Sequence, residues 1–394
     1  MTSAGPTILL VSPSAHYPSH NWSITSALMR ALKRKGRRVR TVIFSTTTEP
    51  VSPDLRGEVE PVFVRPPRAG AGKWQNRRFG GVANVCETLA CLLKALKLAR
   101  GQPGPVLHFI GGSYWLVVLA ALCFRRVHFV YSLYGGMLSG PAKGPKVWLR
   151  RRLKQLLRRA VATGRLDFTC ENEFLREEIS ALVGSHVRLI PYAIVDDEEL
   201  PAQAEARQRL DLPLQEKILL FFGTHRREKD YATPLKGCLS LSDPPLALFV
   251  GKVISDNDPR QVVADCHYPK ARIVNEFVPE DMAKYYFAAA DAVVLPYEAD
   301  FARGSGVLIE CCRYLRPMIA SATPYFSAFL TRHPCGVSYV SGNSASFAAA
   351  AERLLSGSVN CRPALEQARH DHSWTSAADE YIRLYESPSS TCCG

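Results

Sequence analysis

The chain has 394 residues, 47% of them apolar and 22% charged, a balance that excludes a disordered or fibrous protein and leaves room for two ordinary domains. Its net charge of +13 calls for anionic partners, among which nucleotide phosphates, an anionic membrane surface and nucleic acid are all compatible with charge alone. The twelve cysteines are scattered and form no CxxC pair, so neither a zinc site nor a disulfide framework is indicated, and a reduced, cytoplasmic chain is expected.

Residues 7–11 (TILLV) read as a buried parallel strand, too short to be the apolar core of a signal peptide. A polar loop containing His16 and Pro18 follows, then a helix marked by Ile24, Leu28 and Leu32, ended by Gly36, and a strand over 39–44. Strand, helix and strand in this order form the crossover unit of a doubly wound sheet. Further units follow, with helices over 85–98 and 115–122 and strands over 106–109 and 127–132. The most apolar run, 114–123, stops at Arg125 and Arg126, well short of the roughly 20 residues of a membrane span. Segment 143–159 places Leu149, Leu153, Leu156 and Leu157 on one helical face and arginines and lysines on the other. Such a helix either lies on anionic lipid or packs its leucines against its own domain.

Near residue 192 the pattern breaks, passes an acidic stretch at 196–199, and restarts with the strand 218–222 (ILLFF). Strands over 246–250, 272–274, 292–295 and 318–320 alternate with helices over 280–289 and 306–314. The expected architecture is therefore α/β, with two Rossmann-like doubly wound domains facing each other across a cleft. They cover 1–192 and 193–370, with 371–394 as a returning helix and tail.

Ligands of such sheets sit beyond the carboxyl ends of the strands, which directs attention to the loops after Phe222 and Leu295. The first reads Gly223-Thr-His-Arg226-Arg-Glu-Lys229, a glycine that permits close approach and two cations suited to a diphosphate. The second ends in Gly304-Ser305-Gly306-Val307 and enters a helix carrying Glu310. Open N–H groups at that helix start suit phosphate, and the Glu310 carboxylate suits the hydroxyls of a ribose. His108, before Gly111-Gly112, is placed to meet a sugar or the reacting centre, with a satisfied core histidine as the alternative. His16, His20 and Asn21 offer weaker candidates for acceptor contacts.

GxxxxGK[ST], HExxH and GxSxG are missing, as is GxGxxG after the first strand, which removes the motif basis for P-loop, zincin, hydrolase and dinucleotide chemistry. Asp256-Asn257-Asp258 reads as a turn before Pro259, and no metal is assigned.

Together these features resemble the GT-B glycosyltransferases, specifically the retaining family 4, over nearly the whole chain. FFGTHRREKDYATPL looks like that family's phosphate loop, the segment 274–321 like its donor-nucleotide region, and HSWTSAADEYIRLYE like its terminal crossing helix. The resemblance implies that Arg226 and Lys229 stabilise the leaving diphosphate, that Gly223, Ser305, Gly306 and Val307 line it, that Glu310 holds the ribose, and that His108 contacts the donor sugar. It also implies front-face attack without a metal or other cofactor, the nucleotide sugar being a substrate.

Two positions depart from the family. Eight residues before Glu310, where the family often has another Glu, stands Ala302, with Glu298 and Asp300 out of register, and Tyr134 stands where histidine is common. The acceptor implied is a glycan, a lipid-linked acceptor or a small molecule, with peripheral contact at the inner face of an anionic membrane and no nucleic acid. The alternatives are a natural-product glycosyltransferase and a catalytically inactive homologue acting as a binding partner.

Overall fold

The computed structural model describes residues 6–13, 20–45, 53–63, 80–133, 145–185, 187–194, 199–301 and 304–386. The chain divides into two compact units, Met1–Tyr192 with Trp374–Gly394, and Ala193–Ser373.

The first unit runs β1 (Ile8–Ser12), α1 (His20–Arg34), β2 (Val39–Ser45), a 3-10 turn, β3 (Val59–Phe63), α2 (Gly80–Ala99), β4 (Val106–Ile110), α3 (Tyr114–Cys123), β5 (His128–Leu133), α4 (Pro145–Ala162), β6 (Leu166–Cys170), α5 (Glu173–Val183) and β7 (Arg188–Leu189). All seven strands are parallel, in the order β3-β2-β1-β4-β5-β6-β7. β1 is an interior strand beside the central β4, Ile8 opposite Val39 on one side and Val106 on the other. Every residue of β1 and of β4 is buried, as a sheet covered on both faces requires. Of the strands without a sequence range of their own, β3 carries Pro61 at the sheet edge, where a missing N–H costs nothing, and β6 is interrupted by Asp167. Asp167 is held by His128 across β5 and β6 at 2.7 Å.

Of the two fates open to α4, Leu156 and Leu157 take the inward one, and the side chain of Leu149 lies outside the described residues. Leu157 and Ala160 are fully buried, and Leu156 sits against the same core as Phe109 and Phe129. Burying each such side chain contributes about 1.5–3 kcal/mol.

The second unit contains α6 (Gln203–Arg209), β8 (Ile218–Phe222), α7 (Ala232–Cys238), β9 (Leu246–Val250), α8 (Pro259–Asp265), β10 (Ala271–Val274), α9 (Glu280–Ala289), β11 (Ala292–Leu295), α10 (Gly306–Arg313), β12 (Met318–Ser321), α11 (Pro324–Arg332), β13 (Gly336–Tyr339), α12 (Ser344–Leu355) and α13 (Arg362–Asp371). Its six strands are parallel, in the order β10-β9-β8-β11-β12-β13. Chain order reverses between β8 and β11, which makes the gap between their carboxyl ends the switch point of this sheet.

The last helix, α14 (Trp374–Glu386), belongs to the first unit and packs on α1. Lys35 pairs with Asp379 at 2.8 Å and Arg37 with Glu386 at 2.6 Å. Among the described residues no helix is long and apolar enough to cross a membrane, and the ten described cysteines are free thiols.

Candidate active site

The loops that leave β8 and β11 meet at the switch point of the second unit. Gly223 turns the chain immediately after β8 at φ +84°, a conformation that side chains resist. A Cβ at Gly223 would stand 3.3 Å from the Val307 side chain at the start of α10. Gly251, at the end of β9, passes so close beneath that a Cβ there would lie 2.2 Å from the Gly223 carbonyl oxygen. Two glycines thus let three chain segments converge on one point.

Beyond Gly223 the chain is stitched to the loop after β11. Lys229 and Tyr297 form an antiparallel bridge, Asp230 N–H donates to the Pro296 carbonyl at 2.6 Å, and Glu298 N–H donates to the Glu228 carbonyl at 3.0 Å. Asn257 fixes the loop from the other side, its amide donating to the carbonyls of Arg226 at 2.9 Å and Lys229 at 2.6 Å. The 256–258 stretch is a turn, as its composition implies. Asp258 caps α8 by accepting from Arg260 N–H, and the Asn257 anchor is a contribution that the sequence alone did not signal.

This stitching buries Lys229 to 7% exposure. Its ammonium donates to the Phe222 carbonyl at 2.8 Å and lies 5.9 Å from the centre of the Tyr297 ring. Burial, reinforced by the positive charge of Arg226 and opposed by Glu228, pushes its pKa down to about 7. Arg226 is exposed and donates to the Thr224 hydroxyl at 3.0 Å. Behind the loop, His225 is fully buried against Tyr231, 2.6 Å from its hydroxyl, and burial lowers its pKa to about 4, which keeps it neutral.

On the facing side, Ser305 precedes α10 but does not cap it, because its hydroxyl pairs with the Tyr297 hydroxyl at 3.0 Å. Leu308 N–H donates to the Ser305 carbonyl at 3.1 Å, while the N–H groups of Gly306 and Val307, the first two of α10, precede the first turn of intrahelical bonding, and the space around Gly306 is open. These groups and the helix dipole present a positive end beside Lys229. Glu310, one turn into α10, has a partly exposed carboxylate 3.5 Å from Arg313. A cavity of about 560 Å³ opens next to Lys229, lined among others by Arg227, Asp230, Asn257, Glu298 and Ser341. Exposed Ile254 and Phe277 lie in the neighbouring loops after β9 and β10, which the Val253 N–H joins by donating to the Asn275 side chain at 2.9 Å. Both are apolar residues in loops, where sequence reasoning had no motif to find them.

Gly223, Arg226, Lys229, Ser305, Gly306, Val307 and Glu310 are therefore brought together. His108 has a different setting from the one expected, and the correction has a physical cause. It is fully buried inside the first unit, with Nδ1 2.7 Å from the Tyr385 hydroxyl and Nε2 2.7 Å from the Ser132 hydroxyl. Ser132 in turn meets Thr169 and Tyr381. Both ring nitrogens are occupied by α14 and the neighbouring strand, and burial pushes the pKa down to about 3, so the ring stays neutral and out of reach of a sugar. His16, Tyr134 and Ala302 lie outside the described residues, as do the side chains of His20 and Asn21, whose backbones open α1. Among the described residues no group of three His, Cys, Asp or Glu is arranged to hold a metal ion.

No family model matches the chain. It is 30% identical over 165 residues to TuaC of Bacillus subtilis (strain 168), named for glycosyl transfer in teichuronic acid biosynthesis; the match spans 40% of this chain and 39% of the length of that curated relative. Among solved structures, sucrose-phosphate synthase from Thermosynechococcus elongatus superposes with a TM-score of 0.66 at 20% identity, over 96% of this chain and 98% of that one. HepE from Anabaena in complex with UDP-glucose superposes with a TM-score of 0.61 at 13% identity, over 97% and 99%. These likenesses show the fold. It is GT-B, built of two Rossmann-like α/β units, as the sequence resemblance implies.

Proposed function

We propose that the chain is a retaining glycosyltransferase that moves a hexosyl group from a nucleoside diphosphate sugar to an acceptor in polysaccharide or glycolipid assembly. The observation that carries this is the convergence of a buried lysine, an exposed arginine and the open start of α10 on the switch point of the second unit. Such a cluster has one obvious complement, a diphosphate bearing two or more negative charges. The names of the relatives support the coarser statement. TuaC is named for glycosyl transfer in teichuronic acid biosynthesis, and the HepE structure holds UDP-glucose.

In this reading the diphosphate lies between Lys229, Arg226 and the N–H groups of Gly306 and Val307, and Glu310 accepts from the ribose hydroxyls. When the sugar C1 to phosphate oxygen bond breaks, the new charge falls on the oxygen nearest Lys229 and the helix start. Stabilising that charge is where electrostatic catalysis is strongest. The acceptor hydroxyl forms its bond to C1 on the same face, and its proton passes to the departing phosphate oxygen, so no carboxylate nucleophile takes part. Cationic side chains and backbone N–H groups supply the charge stabilisation, and no cofactor besides the donor is invoked. His108 serves as the buried link between β4, β5 and α14 instead of touching the sugar.

The test is release of nucleoside diphosphate from UDP-, GDP-, ADP- and TDP-sugars without added metal, with a lipid extract as acceptor source. Release from one donor, lost in Lys229→Met and Arg226→Ala, is the expected result. No release from any donor would make the chain a binding protein on an enzyme's scaffold, and release indifferent to both substitutions would remove Lys229 and Arg226 from the reacting centre.

A further inference from the structure

Several helices of the chain are closed by the residue in front of them. Asn172, Asp258, Thr323 and Asn343 stand before α5, α8, α11 and α12, and each side chain accepts from a backbone N–H two or three residues on. Ser305 before α10 has the same extended backbone, φ −116° and ψ 118°, close to the −111° and 102° of Asn343. A rotation about its Cα–Cβ bond is all that would bring its hydroxyl over the first turn. Ser113 before α3 makes no such bond either, so an uncapped start alone says little. What sets Ser305 apart is its partner, the Tyr297 hydroxyl at 3.0 Å.

Tyr297 is secured on several sides. Its main chain pairs with Lys229, its N–H donates to the Ser321 hydroxyl at 3.2 Å, and its carbonyl accepts from the Ser341 hydroxyl at 3.4 Å. Its ring stacks on Phe301 with centres 4.0 Å apart, meets Phe326 at 5.4 Å, and has the Lys229 ammonium 5.9 Å from its centre. The phenol is therefore fixed, and the serine is the member of the pair that could turn. Tyr297 is 8% and Ser305 5% exposed, so each hydroxyl satisfies the other out of water.

We infer that Tyr297 is a positioning residue for the donor: its hydroxyl holds the Ser305 hydroxyl off the start of α10 and so reserves that helix end for phosphate. A serine oxygen turned over the first turn would accept from the N–H of Val307 or Leu308. It would stand where the first N–H groups converge, the place that a phosphate oxygen needs. The fold forgoes a cap ordinarily worth about a fivefold shift in the folding equilibrium. The ring that restrains Ser305 also supports Lys229, so one side chain serves both halves of the cradle. The assignment rests on the proposed placement of the diphosphate at this helix start.

The test is Tyr297→Phe, which keeps the ring, its stack on Phe301 and its contact with Lys229 and removes only the hydroxyl. Without ligand, residue-resolved hydrogen exchange at the Val307 or Leu308 amide should slow by about fivefold as Ser305 turns in. Protection along β8 and β11 at the wild-type level confirms an intact fold. Calorimetric titration with inorganic pyrophosphate, which has no base to add contacts of its own, should show affinity lowered by about tenfold. Adding Ser305→Ala removes the intruding hydroxyl and should recover most of that loss, together with wild-type exchange at the start of α10. A residue that merely packs would give a loss that the second substitution deepens. Equal pyrophosphate affinity in the wild-type chain and Tyr297→Phe, unchanged exchange at the start of α10, or a loss not recovered by Ser305→Ala overturns the assignment and leaves the enzymatic reading standing. No pyrophosphate binding by the wild-type chain overturns both.

Discussion

His108 in the first unit and Lys229 in the second unit are both ionisable residues on or following a parallel strand, the first at the middle of β4 and the second seven residues beyond β8, and both are buried. Their surroundings separate them. His108 has a hydroxyl on each ring nitrogen, and the network continues through Ser132 to Thr169 and Tyr381. The Lys229 ammonium is as deeply placed, but the described partner of its three protons is a single carbonyl, and it faces the open start of a helix. Burial by itself does not mark a functional group. A buried charge whose hydrogen-bonding capacity is left incomplete, beside other groups of the same sign, does.

The difference is broken most sharply at Lys229. Lys229→Met should lower donor turnover by about a thousandfold, the scale of losing a main stabiliser of developing charge, as read by diphosphate release. The same variant should be more stable than wild type below pH 7 without donor. The unfolded lysine keeps its proton up to about 10.5, whereas the folded one holds it only to about 7. The unliganded fold is thus penalised below pH 7 and gains stability as pH rises from 7 towards 10.5. For donor use the sign is opposite, because the diphosphate requires the protonated form. kcat/KM for the donor should fall by up to about tenfold per pH unit above 7, and a flat profile from 6 to 9 would argue against the assignment.

His108→Ala should act on the other axis, lowering stability by about 3 kcal/mol through a cavity and the buried hydroxyls left unpaired. Donor turnover in the surviving fold should change by less than about threefold. Calorimetric unfolding and the diphosphate assay on one preparation decide this, and a turnover loss without destabilisation would return His108 to the reacting centre. Glu310→Gln should raise the donor KM by about tenfold, the weight of a charge-assisted hydrogen bond to the ribose, with a smaller effect on a 2′-deoxy donor. Asn257→Ala, which releases two carbonyls of the phosphate loop, should weaken donor binding by about fivefold.

Much of this comparison was legible in the residues, and the exceptions share a cause. ILLFF, LALFV and AVVL are continuous apolar runs, and they became β8, β9 and β11 at the expected residues. The glycines and the Ser305-Gly306 helix start carry their backbone meaning locally, so the two loops proposed to hold phosphate were visible as a turn and a helix start. What was hidden depends on partners distant in sequence. The hydroxyl that occupies His108 is 277 residues away, and the amide that secures the Arg226–Lys229 loop lies 28 residues downstream of Lys229 in a stretch whose composition says only turn. No local pattern encodes either contact.

The stitching of the two phosphate loops has a consequence for how a ligand enters. With the Lys229–Tyr297 bridge and its flanking main-chain bonds formed without a ligand, the loss of loop entropy is incurred in folding, and on the proposed reading a donor meets loops that are already joined. Preorganisation of this kind removes a fixed cost that weighs most against the smallest ligands. Even inorganic pyrophosphate, with neither base nor sugar to help order the loops, should find a finished cradle and compete with the donor for it.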